Sequence, residues 1–184
     1  IYSKDYELLI AVMLSAQTTD KAVNKVTGIL FSKYNSLTEL NNASLEDIEE
    51  IIKPIGLYKN KAKNLKGIVS ALVSDYNCIV PHSREELSSL PGVGHKTAGV
   101  VLAELFSEPE FPVDTHVARI SKRLSLANND DDVLVIENKL KKVFPKTNWI
   151  RLHHQFIHFG RYYCLAKNPK CKNCKLSVIC KENR

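Results

Sequence analysis

The sequence predicts an all-α protein. Apolar residues recur at helical spacing in successive stretches, cap residues and Pro/Gly breaks bound those stretches, and no stretch reads as a convincing strand. The 184 residues are 44% hydrophobic and 25% charged, an ordinary globular balance with chain enough for one large core or two small ones.

The first helix is expected over Asp5 to Ser15, apolar at Leu8, Leu9, Val12 and Met13. Asp20 is expected to cap a second, with Val23, Val26, Ile29, Leu30 and Phe31 inward. Ser44 opens a helix over Leu45 to Ile52, which Pro54 and Gly56 end. A long helix follows from about Lys59 to Tyr76, striped by Ala62, Leu65, Ile68 or Val69, and Leu72. Ser83 and Glu86 form a capping-box pattern for a short helix through Leu90. Ala98, Val101, Leu102 and Leu105 mark another to Phe106. Ser107 to Pro112, with two prolines, is the expected domain boundary. Beyond it, helices are expected over Thr115 to Leu126, Val133 to Val143 and Trp149 to Cys164. Asp114 precedes the first of these, and an aspartate of the Asn128 to Asp132 loop precedes the second. The tail from Ala166 is polar, basic and rich in cysteine.

Between two of these helices lies LPGVGHKTAG, Leu90 to Gly99. Gly92 and Gly94 follow Pro91 and read as a tight turn. The helix after them begins near Gly94 or His95, with backbone N–H groups free to meet an anion such as a nucleic-acid phosphate. A plain Pro-Gly corner is the simpler reading; the lysine directly after LPGVGH favours phosphate. The formal charge of +6 and the pI near 9.0 also suit a polyanionic partner. No apolar run approaches the ~20 residues that cross a membrane, and no leader is evident, so a reducing compartment inside the cell is expected.

Four of the five cysteines fall near the end: Cys164, Cys171, Cys174 and Cys180, spaced C-x6-C-x2-C-x5-C. In a reducing cell this reads as a metal site, and four thiolates suit zinc or an iron–sulfur cluster. Arg161, Lys167, Lys170, Lys172, Lys175, Lys181 and Arg184 surround them against Glu182, which makes a phosphate-facing surface or simply neutralises the metal site. Cys78 lies outside the pattern and is expected to be a small buried apolar residue.

The LPGVGHKTAG string resembles the helix–hairpin–helix of the endonuclease III family of DNA glycosylases. The resemblance runs from ELLIAVMLSAQTTD through VDTHVARI to the four cysteines, whose gaps match the family's single [4Fe–4S] cluster. It implies two α domains meeting at a cleft. A helical barrel over 1–109 contains the helix–hairpin–helix at 84–106, and a cluster domain covers 110–184. Family members usually carry a longer segment before ELLIAV that packs with the cluster domain. Six residues precede it here, so that segment is expected to be missing.

The resemblance makes Lys96 the catalytic nucleophile and Asp114 the carboxylate facing it across the cleft. An aspartate there also suits a helix N-cap, and both roles are expected. Lys96 in the first turn of its helix meets an unfavourable dipole, and partial burial would add to that; both press towards the neutral amine a nucleophile needs. The implied activity is removal of oxidised pyrimidines from damaged double-stranded DNA. The base is rotated out. Asp114 stabilises charge on the sugar and helps deprotonate Lys96, which displaces the base, and β-elimination cuts the strand. Gln17 in LSAQTTD and Leu57 in IGLYKNK match the residues that fill the gap in the duplex. His116 is expected near the DNA strand. The chain is expected to be monomeric, and cytoplasmic if its source is a prokaryote.

Two other readings exist. The superfamily's adenine-mismatch glycosylase shares the hairpin, the aspartate and the cysteines, but usually lacks lysine at the position of Lys96. A non-catalytic hairpin module with a zinc site of four cysteines would be colourless, where an iron–sulfur protein is brown.

Overall fold

The computed structural model describes residues 2–183; Arg184, counted among the basic tail residues above, lies outside them. Every regular element among the described residues is helical, with ten α-helices and four short 3-10 turns. The chain forms two compact units, Ile1–Phe106 and Ser107–Arg184.

The first unit holds α1 (Asp5–Leu14), α2 (Asp20–Lys33), α3 (Leu37–Asn42), α4 (Leu45–Ile52), α5 (Tyr58–Ser74), α6 (Arg84–Ser89) and α7 (His95–Phe106). Seven of the ten residues of α1 are buried, leaving it almost no polar face. A helix apolar all round belongs in a core, and α1 packs on α2, α5 and α7. Its buried acid, Glu7, accepts from the backbone N–H of Ser3 at 2.7 Å and of Lys4 at 3.3 Å, closing the open N-terminus.

Side-chain oxygens cap α2, α3, α4 and α6. Ser36, Ser44 and Ser83 each accept from the N–H three residues on. Two expectations change here. Thr19, not Asp20, caps α2, because Thr19 has the extended backbone that a cap needs. Ile29 is 51% exposed, since only Val23, Val26, Thr27 and Leu30 fill the narrow buried stripe of α2. Helix α3 has no counterpart in the sequence reading; six residues show too little periodicity to register. Cys78 is exposed, correcting the expected burial. It lies at φ +62 in the turn that ends α5, with its N–H on Leu72 O at 2.7 Å.

The second unit holds α8 (Thr115–Arg123), α9 (Val133–Val143) and α10 (Trp149–Tyr162). Phe111, Val113, Val117, Ile120, Ile136, Leu140 and Phe156 form its core. Helix α8 stops three residues before the expected Leu126, because Ser125 turns to φ +62 and the N–H groups of Leu126 and Ala127 fold back onto Ser121 O. Helix α10 ends at Tyr162, two residues short of Cys164. Helices α8 and α10 pack closely because Gly160 has no side chain; a Cβ there would lie 2.9 Å from His116 Cβ.

Candidate functional site

The hairpin between α6 and α7 is anchored by Leu90 and Val93, both buried, with Val93 N–H on Leu90 O at 3.1 Å. Helix α5 seats it at two points one turn apart. A Cβ on Gly67 would lie 2.7 Å from Pro91 Cγ, and one on Gly92 would lie 2.8 Å from Asn64 Cγ. Gly92 also takes φ +74, so glycine is required there by both backbone and space. Gly94 differs: a Cβ there would meet nothing within 4 Å, and its carbonyl accepts the first bond of α7, from Ala98 N–H at 3.0 Å. Arg84 Nη1 donates to His95 O at 2.9 Å and ties the start of α6 to the start of α7.

Lys96 follows on the first turn of α7. It is exposed, and among the described residues it has no hydrogen bond or ion pair. The turn faces solvent beside Gly94 and His95, both exposed, so burial adds nothing to the effect of the helix start.

Gln17 and Leu57 both lie in the first unit, on loops rather than helices. Both are exposed, and both take left-handed backbone, φ +55 and +58. Such conformations are costly in non-glycine residues and concentrate at working sites.

In the second unit, Asp114 caps α8: its Oδ1 accepts from Val117 N–H at 2.8 Å. Its Oδ2 has no hydrogen bond among the described residues, and the residue is half-buried. A cap with one oxygen to spare is thus the observed geometry. His116, the second residue of α8, has its Nδ1 3.2 Å from Arg119 Nη2. A guanidinium only donates, so Nδ1 is the acceptor in this contact.

Cys164, Cys171, Cys174 and Cys180 are half-buried free thiols that line one pocket, partly open to solvent. The last three lie at multiples of three residues, and the chain closes 3-10-type bonds at that step: Cys174 N–H to Cys171 O, Ser177 N–H to Cys174 O, and Cys180 N–H to Ser177 O. Ser177, in the same register, also lines the cavity. Among the described residues, no three His, Cys, Asp or Glu side chains group as ligands of a single metal ion. Two arginines of α8 hold the strand leading into the cavity. Arg119 Nη2 donates to Gly160 O and Cys164 O, both at 2.9 Å, and Arg123 Nη1 to Cys164 Sγ at 3.3 Å and Leu165 O at 2.8 Å.

Residues 10–146 match the HhH-GPD superfamily of base excision DNA repair proteins. The chain belongs to this family. It is 46% identical to endonuclease III of Bacillus subtilis (strain 168), across all of this chain and 84% of that protein. Endonuclease III of Haemophilus influenzae is 42% identical, across 97% of this chain and 84% of the relative. Among solved structures, a trapped endonuclease III–DNA covalent intermediate in its estranged-adenine complex is similar to it. That structure has a TM-score of 0.96 at 48% identity, over all of this chain and 86% of the other. A thermostable thymine-DNA glycosylase has a TM-score of 0.88 at 25% identity, over 99% of this chain and 85% of the other.

Within this member of the HhH-GPD superfamily, sequence reasoning missed the residues that support the site rather than form it. Asn64 and Gly67 seat the hairpin, and their N-x-x-G spacing on α5 is a faint signal. Arg119 and Arg123 appear in the sequence only as basic helix residues. Lys61 gave no signal at all: it sits among lysines at 59, 61, 63 and 66, yet it alone of these is buried.

Proposed function

We propose that this chain is a bifunctional DNA glycosylase and abasic-site lyase that removes oxidised pyrimidines from duplex DNA. The observation that carries the reading is Lys96, an exposed and unpartnered amine on the first turn of α7, directly after a hairpin whose open glycine leaves room for a phosphate. A neighbour at 48% identity was trapped as a covalent endonuclease III–DNA intermediate, the kind of species a nucleophilic amine forms. The same amine disfavours the monofunctional adenine-mismatch reading.

The backbone N–H groups at the start of α7 and the Gly92–Gly94 turn bind phosphate. The target nucleotide rotates out of the stack, while Gln17 and Leu57 fill its place, one pairing with the orphaned base and the other stacking. The Asp114 oxygen not used in capping stabilises positive charge on the sugar as the glycosidic bond breaks. The Lys96 amine forms a bond to C1′ and the base leaves with a proton. The C1′–O4′ bond then breaks, with a proton passing to O4′, to give the iminium; this acidifies the C2′ hydrogen, whose loss to a base expels the 3′ phosphate and breaks the strand.

Cys164, Cys171, Cys174 and Cys180 would hold a [4Fe–4S] cluster. Four thiols lining one pocket, at the gaps C-x6-C-x2-C-x5-C, fit such a group. When bound, it supplies structural cross-linking of the tail. The exposed lysines around it give a positively charged face for phosphates.

The test is borohydride trapping on a duplex with one oxidised pyrimidine. A covalent product is expected with the unaltered chain and none with Lys96→Ala. Trapping only on a plain abasic site retains the lyase and overturns the substrate. No trapping on either, with DNA still bound, makes Lys96 a phosphate contact and the protein a binding module.

A further inference from the structure

Lys61 is buried, with 5% of its surface exposed, and the reaction does not use it. Its ammonium has three protons and three acceptors: Leu14 O at 2.9 Å, Ala16 O at 2.8 Å and Thr18 Oγ1 at 2.7 Å. None is a carboxylate. Burial pushes the group below its ordinary value of 10.5, as expected for a cation without a counter-charge. Part of that cost is offset at Leu14 O, an open carbonyl at the negative end of α1.

The geometry matters more than the charge. Ala16 and Thr18 are the two neighbours of Gln17, so Lys61 grips the chain on both sides of its left-handed backbone. The backbone N–H of Lys61 donates to Leu57 O at 3.0 Å, the i→i−4 bond that opens α5, so this grip on the Gln17 loop is set one helical turn from Leu57. One residue is therefore bonded to both sides of one gap-filling candidate and to the backbone of the other, across more than forty residues of sequence.

We propose that Lys61 is a positioning residue for duplex opening: it holds Gln17 and Leu57 at a set separation, so that both enter the gap left by the rotated nucleotide. The proposal rests on the gap-filling roles given above. A glutamine and a leucine on independent loops would each have to be ordered by the DNA; with both tied to Lys61, that ordering is complete before binding.

The experiment compares Lys61→Met and Thr18→Val with the unaltered chain, and with Gln17→Ala and Leu57→Ala as controls. It measures single-turnover excision from a duplex, strand cleavage of a single-stranded abasic oligonucleotide, and the fluorescence of 2-aminopurine placed opposite a stable abasic analogue. In Lys61→Met the ratio of duplex excision to single-strand cleavage is expected to fall by about tenfold to a hundredfold. The 2-aminopurine response should weaken, and adding Gln17→Ala should cost less than it does alone. Thr18→Val should give a smaller change of the same kind, and it decides the matter if Lys61→Met does not fold. Equal slowing of both reactions in the deciding variant makes Lys61 a structural residue only and overturns the proposal. So does an unchanged ratio where Gln17→Ala is slow. If Gln17→Ala and Leu57→Ala both excise normally, the gap-filling reading itself has failed.

Discussion

Gly92 and Gly94 lie two residues apart in one turn and are glycine for different reasons. At Gly92 the reasons are internal: φ +74, and Asn64 where a side chain would go. At Gly94 no internal reason exists, since a Cβ would meet open space. Gly92→Ala is expected to destabilise the chain by about 1–3 kcal/mol. Gly94→Ala should leave stability within about 0.5 kcal/mol but weaken DNA binding, because its new methyl group faces the phosphate. Thermal melts beside DNA titrations separate the two, and equal loss of stability in both variants would sink the distinction. The motif LPGVG was visible in the sequence, but which glycine serves the fold was not, because neither φ nor Asn64 can be read from neighbours along the chain.

Among the elements, α9 is secured at its start by charge as well as by its cap. Asp132 Oδ1 accepts from Val135 N–H at 2.9 Å. Beside it, Asp131 Oδ2 accepts from Lys139 Nζ at 2.5 Å and Asn128 N–H at 2.7 Å. The Lys139 ammonium foremost, with the Asn128 N–H, holds the Asp131 carboxyl below its ordinary value of 3.8. A carboxyl lowered by folding stabilises the fold above its unfolded value, and that contribution is lost as pH falls through the lower folded value. Asp131→Asn is therefore expected to lower the melting temperature at neutral pH, with a difference that shrinks below pH 3.8. Melts of both chains over roughly pH 7 to pH 3 test this, and a pH-independent difference contradicts it. The sequence showed this stretch as a solvated acidic loop; the partner eight residues on, one face of α9 away, converts it into a clasp.

For the molecule as a whole, the two units differ in what holds them together. The first has a continuous apolar core around α1. The tail of the second, after Cys164, contributes no fully buried side chain among the described residues. Arg119 and Arg123 tie its first residues to α8, and the cluster proposed above would supply the rest of its folding energy. Cys180→Ser is expected to lose iron and to open the chain after Cys164 to proteases, while the residues up to Phe106 stay protected. Metal analysis and mapping of the first cleavage sites check this. A colourless, protected wild-type chain containing zinc would support the alternative metal.

Through a family resemblance the sequence marked Lys96 and Asp114 as candidates; by itself it determined the all-α class, most helix positions, the hairpin and the cysteine set. Each is written in local spacing: apolar residues at helical intervals, caps beside them, glycines in a turn, thiols at fixed gaps. Tertiary structure alone decided which residues serve as supports. Lys61 reaches Leu14, Ala16 and Thr18 across more than forty residues, Asn64 and Gly67 seat the hairpin from another helix, and Arg123 finds Cys164. Burial of Lys61 and exposure of Ile29 and Cys78 belong to the same class. These depend on what packs against a side chain once distant segments meet, and local spacing along the chain carries no record of that.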